Sequence, residues 1–388
     1  MTLRRSFLVA AGLAAALVAA SACASTARVP APPTSAAPTS SPDGSPSVPA
    51  TGWWRPAEGA STLASGLAAP WSVVPLSEGG ALISQRDDGT ILELTPDGAL
   101  RPAGVIADVV SGGESGLHGL AVLQTAGTRW LYAYHGAADD NRVIRMPLDG
   151  AAGALGLGPS EALLTGIPRA STHDGGRIAF GPDGFLYVAT GDAQHGDAAQ
   201  DPDSLAGKIL RLTVEGDAAP GNPQGTAMWS LGHRNVQGLA WTSDGTMWAS
   251  EFGQNTWDEL NRIEPGGNYG WPVVEGFAER AEYIDPVVSW QPREASPSGI
   301  AAVGDTVFIA GLRGERLWIV DTAQGERVAD PVAALVGEHG RLRDAVAGPD
   351  GSLWVLTNNT DGRGAPAASD DLLLRLPLAP DPPAGAVR

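Results

Sequence analysis

The chain has 388 residues and a formal net charge of −18, with 43 acidic residues against 25 basic ones. That balance argues against nucleic acid as a partner. A single cysteine, Cys23, excludes an internal disulfide.

The first predicted element is an export leader. Arg4 and Arg5 supply a positive region, and Phe7 to Ala20 is an almost unbroken apolar run. The run is short for a spanning helix and ends in the small residues Ala20-Ser21-Ala22 before Cys23, which reads as a cleaved signal. Residues 1–22 are therefore expected to be a lipoprotein signal peptide. Cys23 would carry the lipid and form the only link to a membrane. A plain signal with an incidental Cys23 is the alternative. Arg4-Arg5-Ser6-Phe7-Leu8 also resembles a twin-arginine signal, which exports folded protein. The expected location is the cell envelope. Cleavage would remove two arginines and no acid, leaving the mature chain more acidic still.

Residues 23–52 are dominated by Ala, Pro, Ser and Thr. Such a segment cannot bury enough apolar surface to offset its ordering entropy, so a disordered stalk is expected. Residues 53–380 form the folded domain, and 381–388 a short tail.

The folded part repeats one phrase. Asp88-Gly89-Thr90, Pro182-Asp183-Gly184, Ser243-Asp244-Gly245 and Pro349-Asp350-Gly351 each precede alternating apolar residues, and Gly304-Asp305 is a degenerate copy. An Asp-Gly turn before such alternation is a hairpin signal. From Pro182 onward the copies recur about every 50–65 residues, the spacing of propeller blades. With 51 glycines, 31 prolines and no long helical period, the fold class is all-β, a β-propeller of about six blades. A β-sandwich or β-helix is the alternative; the long, varied insertions argue against a regular solenoid.

Three segments carry more polar residues than turns require. In Thr172-His173-Asp174-Gly175-Gly176-Arg177, the glycine pair after His173 permits close approach of backbone or ligand. Asp192, one hairpin later, is placed to hold the imidazole in one tautomer, the base-and-orienter arrangement. Taken alone, such a histidine is more often a structural hydrogen-bonder. The second segment, Gly232-His233-Arg234-Asn235-Val236-Gln237-Gly238, reads as a pocket rim. It is followed by Glu251-Phe252-Gly253-Gln254, Asp258-Glu259 and Asn268-Tyr269-Gly270, an oxygen-rich stretch of the kind calcium prefers. The third is Arg341-Leu342-Arg343-Asp344. Strand alternation puts both guanidiniums on one face and Asp344 on the other, so an anion is needed opposite the arginines. A solvated edge strand is the plainer reading.

Six motifs occur in order: His-x-Gly-Gly-Arg with Thr-Gly-Asp, Leu-Ala-Gly-Lys-Ile-Leu-Arg-Leu, Gly-His-Arg-Asn-x-Gln-Gly, Asp-Glu-Leu-Asn, Gly-x-Asn-Tyr-Gly-Trp-Pro and Arg-x-Arg-Asp. The series, over roughly residues 65–376, resembles the glucose/sorbosone dehydrogenase family of soluble quinoproteins. The resemblance implies a six-bladed β-propeller with pyrroloquinoline quinone (PQQ) at the mouth of its channel and a calcium ion on the quinone. It implies oxidation of an aldose sugar at its anomeric hydroxyl to a lactone, with an electron acceptor that stays unknown. His173 would be the general base, Asp192 its orienting carboxylate, and Arg234 and Asn235 quinone contacts, with Gln237 in the same motif. Gly253 and Gln254 would hold the cofactor calcium by backbone carbonyls. Glu259 and Tyr269 would form a separate structural calcium site. Arg341 and Arg343 would pair with the PQQ carboxylates. Arg313 stands where the family usually has lysine, Glu114 occupies a cofactor-contacting position, and Trp290 lies near a sugar-lining aromatic. His118 replaces an aliphatic residue, and its role stays open. A non-catalytic propeller lipoprotein and a calcium-dependent lactonase are the competing classes.

Overall fold

The computed structural model describes residues 52–125 and 127–381. The expected signal peptide, Cys23, the stalk up to residue 51 and residues 382–388 lie outside them. Six antiparallel sheets follow one another along the chain, each built outward from an innermost strand. The innermost strands are Pro70–Pro75, Leu117–Gln124, Ile178–Phe180, Val236–Trp241, Pro297–Val303 and Leu342–Ala347. Each packs against the next, and the sixth returns to the first, which closes a six-bladed propeller.

The ring is fastened by the N-terminal part of the domain. Ser61–Ala64 is the outermost strand of the sixth blade, beside Leu373–Leu376. Outside it, Trp54–Pro56 pairs with Leu378–Pro380 as a separate two-stranded clasp.

Between neighbouring blades lie six apolar cores. Alternation explains how one strand serves two of them. In Leu353–Thr357, every residue of which is buried, Leu353 and Val355 pack toward the fifth blade, and Trp354 and Leu356 toward the first. Each such side chain contributes about 1.5–3 kcal/mol by leaving water. A charge at Leu356 would therefore open the seam between the last blade and the first.

Four of the five Asp-Gly phrases lie between an innermost strand and the second strand of the same blade. In three of them the aspartate accepts the backbone N–H two residues on, as Asp183 does from Phe185 (3.2 Å) and Asp244 from Thr246 (3.0 Å), whereas Asp305 accepts the Gly52 N–H instead. The following glycines, Gly184 and Gly245, take left-handed φ values of 79° and 84°, which a β-carbon disfavours. The phrase at Asp88 departs from this pattern: it joins the second and third strands of the first blade.

Antiparallel pairing puts the start of an innermost strand and the end of its second strand at the same rim of the propeller, opposite those Asp-Gly turns. The polar segments of the sequence occupy that rim.

Candidate active site

A cleft of about 410 Å³ opens at the rim, within the usual range for small-ligand sites. Segments leading into innermost strands supply Glu114, His173, Arg234, Asn235 and Arg341, and segments leaving second strands supply Phe252, Gly253, Gln254, Arg313 and Arg363.

His173 holds a left-handed backbone with φ 64°, a conformation that costs on the order of 1 kcal/mol for a residue with a β-carbon. Gly191 makes room for it: a β-carbon at that position would run into the His173 carbonyl oxygen. The pair Gly175-Gly176 serves protein packing rather than ligand approach. A β-carbon on Gly175 would meet the Ala189 carbonyl, and one on Gly176 the His118 ring.

His173 Nδ1 lies 2.8 Å from Asp192 Oδ1, and Asp192 Oδ2 accepts Trp271 Nε1 at 2.8 Å. Burial alone would raise the Asp192 pKa. Hydrogen bonding and charge from His173, the Gln194 N–H and Trp271 outweigh it and hold the carboxyl below its ordinary value. Asp192 thus stays ionised and accepts a hydrogen bond from Nδ1–H, which leaves Nε2 with its lone pair. Nε2 meets Arg234 Nη2 at 2.7 Å, and Arg234 Nη1 donates to Gly253 O at 2.6 Å. Burial lowers the Arg234 pKa, opposed by Asp192, Glu251, Glu114 and Glu275.

Asn235 Oδ1 accepts the Gly175 N–H at 3.0 Å. Its buried Nδ2 has no protein partner, and neither do Nε of Arg234 and Nε of Arg341. Arg341 Nη2 is 2.9 Å from Asp361 Oδ2, and Arg343 stands 3.7 Å from the same oxygen. Asp344 faces away and pairs with Arg177 at 2.9 Å. Gln237 and Arg343 do not line the cleft. Gln237 Oε1 accepts Arg343 Nη1 at 2.9 Å, and Asn358 Oδ1 accepts Arg343 Nη2 at 2.9 Å; burial pushes the Arg343 pKa down.

The loop after Gly253 is organised by Glu275, which the sequence does not single out. Its Oε1 accepts the four successive N–H groups of Gln254 to Trp257 at 2.7–3.2 Å. Asp258, also at the cleft, accepts the Gly253 N–H at 3.0 Å and the Ser296 N–H at 2.6 Å. Burial pushes its pKa up to about 6.

Glu259 and Tyr269 lie outside the cleft lining. Glu259 faces Glu251 on the neighbouring strand, and burial followed by the Glu251 charge pushes its pKa up to about 8. Tyr269 donates to Arg262 O at 2.6 Å and stacks on His233, whose Nδ1 is 2.8 Å from Glu251. Among the described residues, no group of three or more His, Cys, Asp or Glu is placed to hold a metal.

Two placements correct or complete the sequence reading. Trp290, expected to line the sugar site, is buried in the outermost strand of the fourth blade and packs on Trp318 at 5.6 Å. Its pairing opposite Asp258 directs the indole into the seam between blades four and five. His118 stays out of the cleft, stacked between Trp71 and Tyr134 at 4.9 and 5.8 Å. Arg363 and Asp361 were legible in principle. They follow the second strand of the sixth blade, the same place that Asp192 holds in the third.

Comparison with known proteins agrees with this architecture. The family described as Glucose / Sorbosone dehydrogenase matches residues 67–375. The PQQ-bound aldose sugar dehydrogenase of Streptomyces coelicolor is 46% identical and superposes with a TM-score of 0.80 over 86% of this chain and 100% of that one. A structure from Thermus thermophilus described as an oxidoreductase (glucose dehydrogenase) is 40% identical, with a TM-score of 0.75 over 82% of this chain and 99% of that one. The aldose sugar dehydrogenase YliI of Escherichia coli is 30% identical over 76% of this chain and 88% of its own length. The chain belongs to the glucose/sorbosone dehydrogenase family.

Proposed function

We propose that the protein oxidises the anomeric hydroxyl of aldose sugars to lactones, with PQQ as electron acceptor and calcium as its companion ion. The observation that carries this reading is the line Asp192–His173–Arg234 opening into a cleft lined by four arginines. The donor set fits the cofactor. Arg234, Arg313, Arg341 and Arg363 face two carboxylates, Glu114 and Asp258, so the cleft suits a small polyanion. The unpartnered Asn235 Nδ2, Arg234 Nε and Arg341 Nε are donors that such a ligand would satisfy. Arg313, Arg341 and Arg363 would hold carboxylates, and Arg234 and Asn235 the quinone side. The Gly253 carbonyl, which already accepts a cation at 2.6 Å, and that of Gln254 would hold the calcium. When bound, the pair supplies a two-electron acceptor polarised by a Lewis acid.

The remaining chemistry falls to the protein. Asp192 keeps the proton on Nδ1, so His173 Nε2 takes the proton of the anomeric hydroxyl as hydride leaves the carbon. Asp192 then faces an imidazolium and stabilises it, while Trp271 keeps the carboxylate from rotating away. Arg234 donates both to Nε2 and to the Gly253 carbonyl, so the sugar hydroxyl must displace the guanidinium from the Nε2 lone pair before that nitrogen can take its proton.

The deciding experiment is titration of purified apo-protein with PQQ and calcium, followed by absorbance of the bound cofactor and by aldose-dependent dye reduction. Saturable binding at micromolar PQQ with turnover is expected; no binding there would remove the reading. The leader pattern further supports an exported protein lipidated at Cys23. Mass spectrometry of the membrane-extracted N-terminus tests that point, and an unmodified Cys23 would refute it.

A further inference from the structure

Glu114 sits at the cleft, but its carboxylate is engaged by protein. Oε2 accepts the backbone N–H of His173 at 2.8 Å, and Oε1 accepts Arg363 Nη1 at 2.9 Å. The Glu114 backbone is also held. Its N–H donates to Ser171 O at 2.9 Å, and its carbonyl meets Nε2 of His118 at 2.8 Å. His118 is itself fixed by the Trp71 and Tyr134 rings. An aromatic stack across the first and second blades therefore anchors a residue whose carboxylate reaches the third and sixth.

The residue it holds is the one whose backbone needs holding. A left-handed histidine persists only where its surroundings over-determine it. The His173 carbonyl is tied to the Ala193 N–H at 3.1 Å, and among the described residues its own N–H is tied to Glu114.

We infer that Glu114 is a positioning residue: aimed by Arg363, its carboxylate fixes the peptide N–H of His173 and so sets where Nε2 stands. It does this without touching cofactor or sugar. The inference rests on the dehydrogenase reading of His173 and deepens it. It also resolves an electrostatic conflict, because an acid facing a polycarboxylate ligand would repel it, whereas here Arg363 neutralises the charge. The cation and the acid enter the cleft as a pair.

The test compares Glu114→Ala and Glu114→Gln with wild type. PQQ affinity is read by absorbance titration in calcium, kcat and KM for an aldose by dye reduction, and the His173 ring signals by NMR of apo-protein, assigned through His173→Ala. A displaced reacting group costs up to about 100-fold, so Glu114→Ala is expected to lower kcat at least about tenfold. KM should stay within about twofold, and PQQ affinity should not fall, because Glu114→Ala removes a negative charge and leaves Arg363 free for the ligand. Glu114→Gln keeps an oxygen for the His173 N–H and should recover most of the turnover. In apo-protein, Glu114→Ala should shift or broaden the His173 Nδ1–H signal. Unchanged kcat in Glu114→Ala overturns the inference. So does a loss of PQQ affinity in step with turnover, which would make Glu114 a cofactor contact. If wild type neither binds PQQ nor oxidises sugar, the dehydrogenase reading falls; an unaltered His173 signal in apo Glu114→Ala then overturns the positioning role independently.

Discussion

Asp361 takes the Arg341 guanidinium at 2.9 Å and stands 3.7 Å from that of Arg343, so one buried carboxylate answers two cations. Burial alone would raise its pKa, but Arg341, the Arg363 N–H and Arg343 more than offset that and hold it below its ordinary 3.8. A depressed carboxylate contributes stability above its unfolded value and loses it as pH falls. Asp361→Asn should therefore destabilise the apo-protein at pH 7 by about 3 kcal/mol, the usual cost of breaking a buried pair. The deficit should shrink below pH 3.8 and in saturating PQQ. Urea melts across pH, with and without PQQ, measure it.

His118 sets a second pH dependence of opposite chemical origin. Burial pushes its pKa down to about 3, and the neighbouring Arg86 and Arg343 add to the shift against the Glu114 carbonyl bond. Between its ordinary 6.5 and 3 the unfolded chain binds a proton that the native ring refuses. Stability should fall in that window by at most about 1.4 kcal/mol per pH unit. Phenylalanine keeps the stack on Trp71 and Tyr134 and cannot protonate. His118→Phe should show a flatter profile of stability from pH 6.5 downward in thermal melts; an unchanged slope would mean that other groups set it.

Replacing the base and replacing its orienter should separate. His173→Ala should lose about 10²–10⁴-fold in kcat while still binding PQQ, because the arginines are untouched. Asp192→Asn offers an amide that no longer compels the Nδ1–H tautomer, so it should lose a large part of the same factor with little change in KM. Single-turnover reduction of bound cofactor by aldose distinguishes the two losses from slow product release.

Glu275 governs the loop that would carry calcium. Four N–H groups converge on one of its oxygens, so Glu275→Ala leaves that loop without its organiser. The expected result is a rise of roughly tenfold, about 1.4 kcal/mol, in the calcium concentration for half-maximal reconstitution. PQQ binding measured at saturating calcium should change little.

The sequence was legible where a rule ties residue type to backbone. Asp-Gly turns with left-handed glycines marked three innermost hairpins and the degenerate Gly304-Asp305 a fourth, and Asp88 misled because the same chemistry serves a hairpin farther out in the first blade. His173 and Asp192 come together because both sit at the rim, as alternation and strand order require. Glu275 was not legible, since it lies in the long loop between the third and fourth strands of its blade and meets Gln254 to Trp257 only when that loop folds back; Asp361 could be found only by its place after a second strand. Trp290 failed for a related reason: an aromatic near a pocket motif faces the pocket or the seam according to register, and here register sends it to the seam. The polar face of Arg-x-Arg was right in direction, yet only folding reveals that Asp361 already stands opposite it.

The outer fastening of the ring has a mechanical consequence. Any pull arriving from residues before 52 meets the clasp strand Trp54–Pro56, which is bonded to the fifth blade through Thr306 and Asp321, and then Ser61–Ala64, the outermost strand of the sixth. Tension would be borne there as strain between paired strands, while the rim that holds His173 is anchored through innermost strands. A tether on this side could be tugged or swayed without disturbing the alignment of the reactive groups, and the first part to yield would be the clasp.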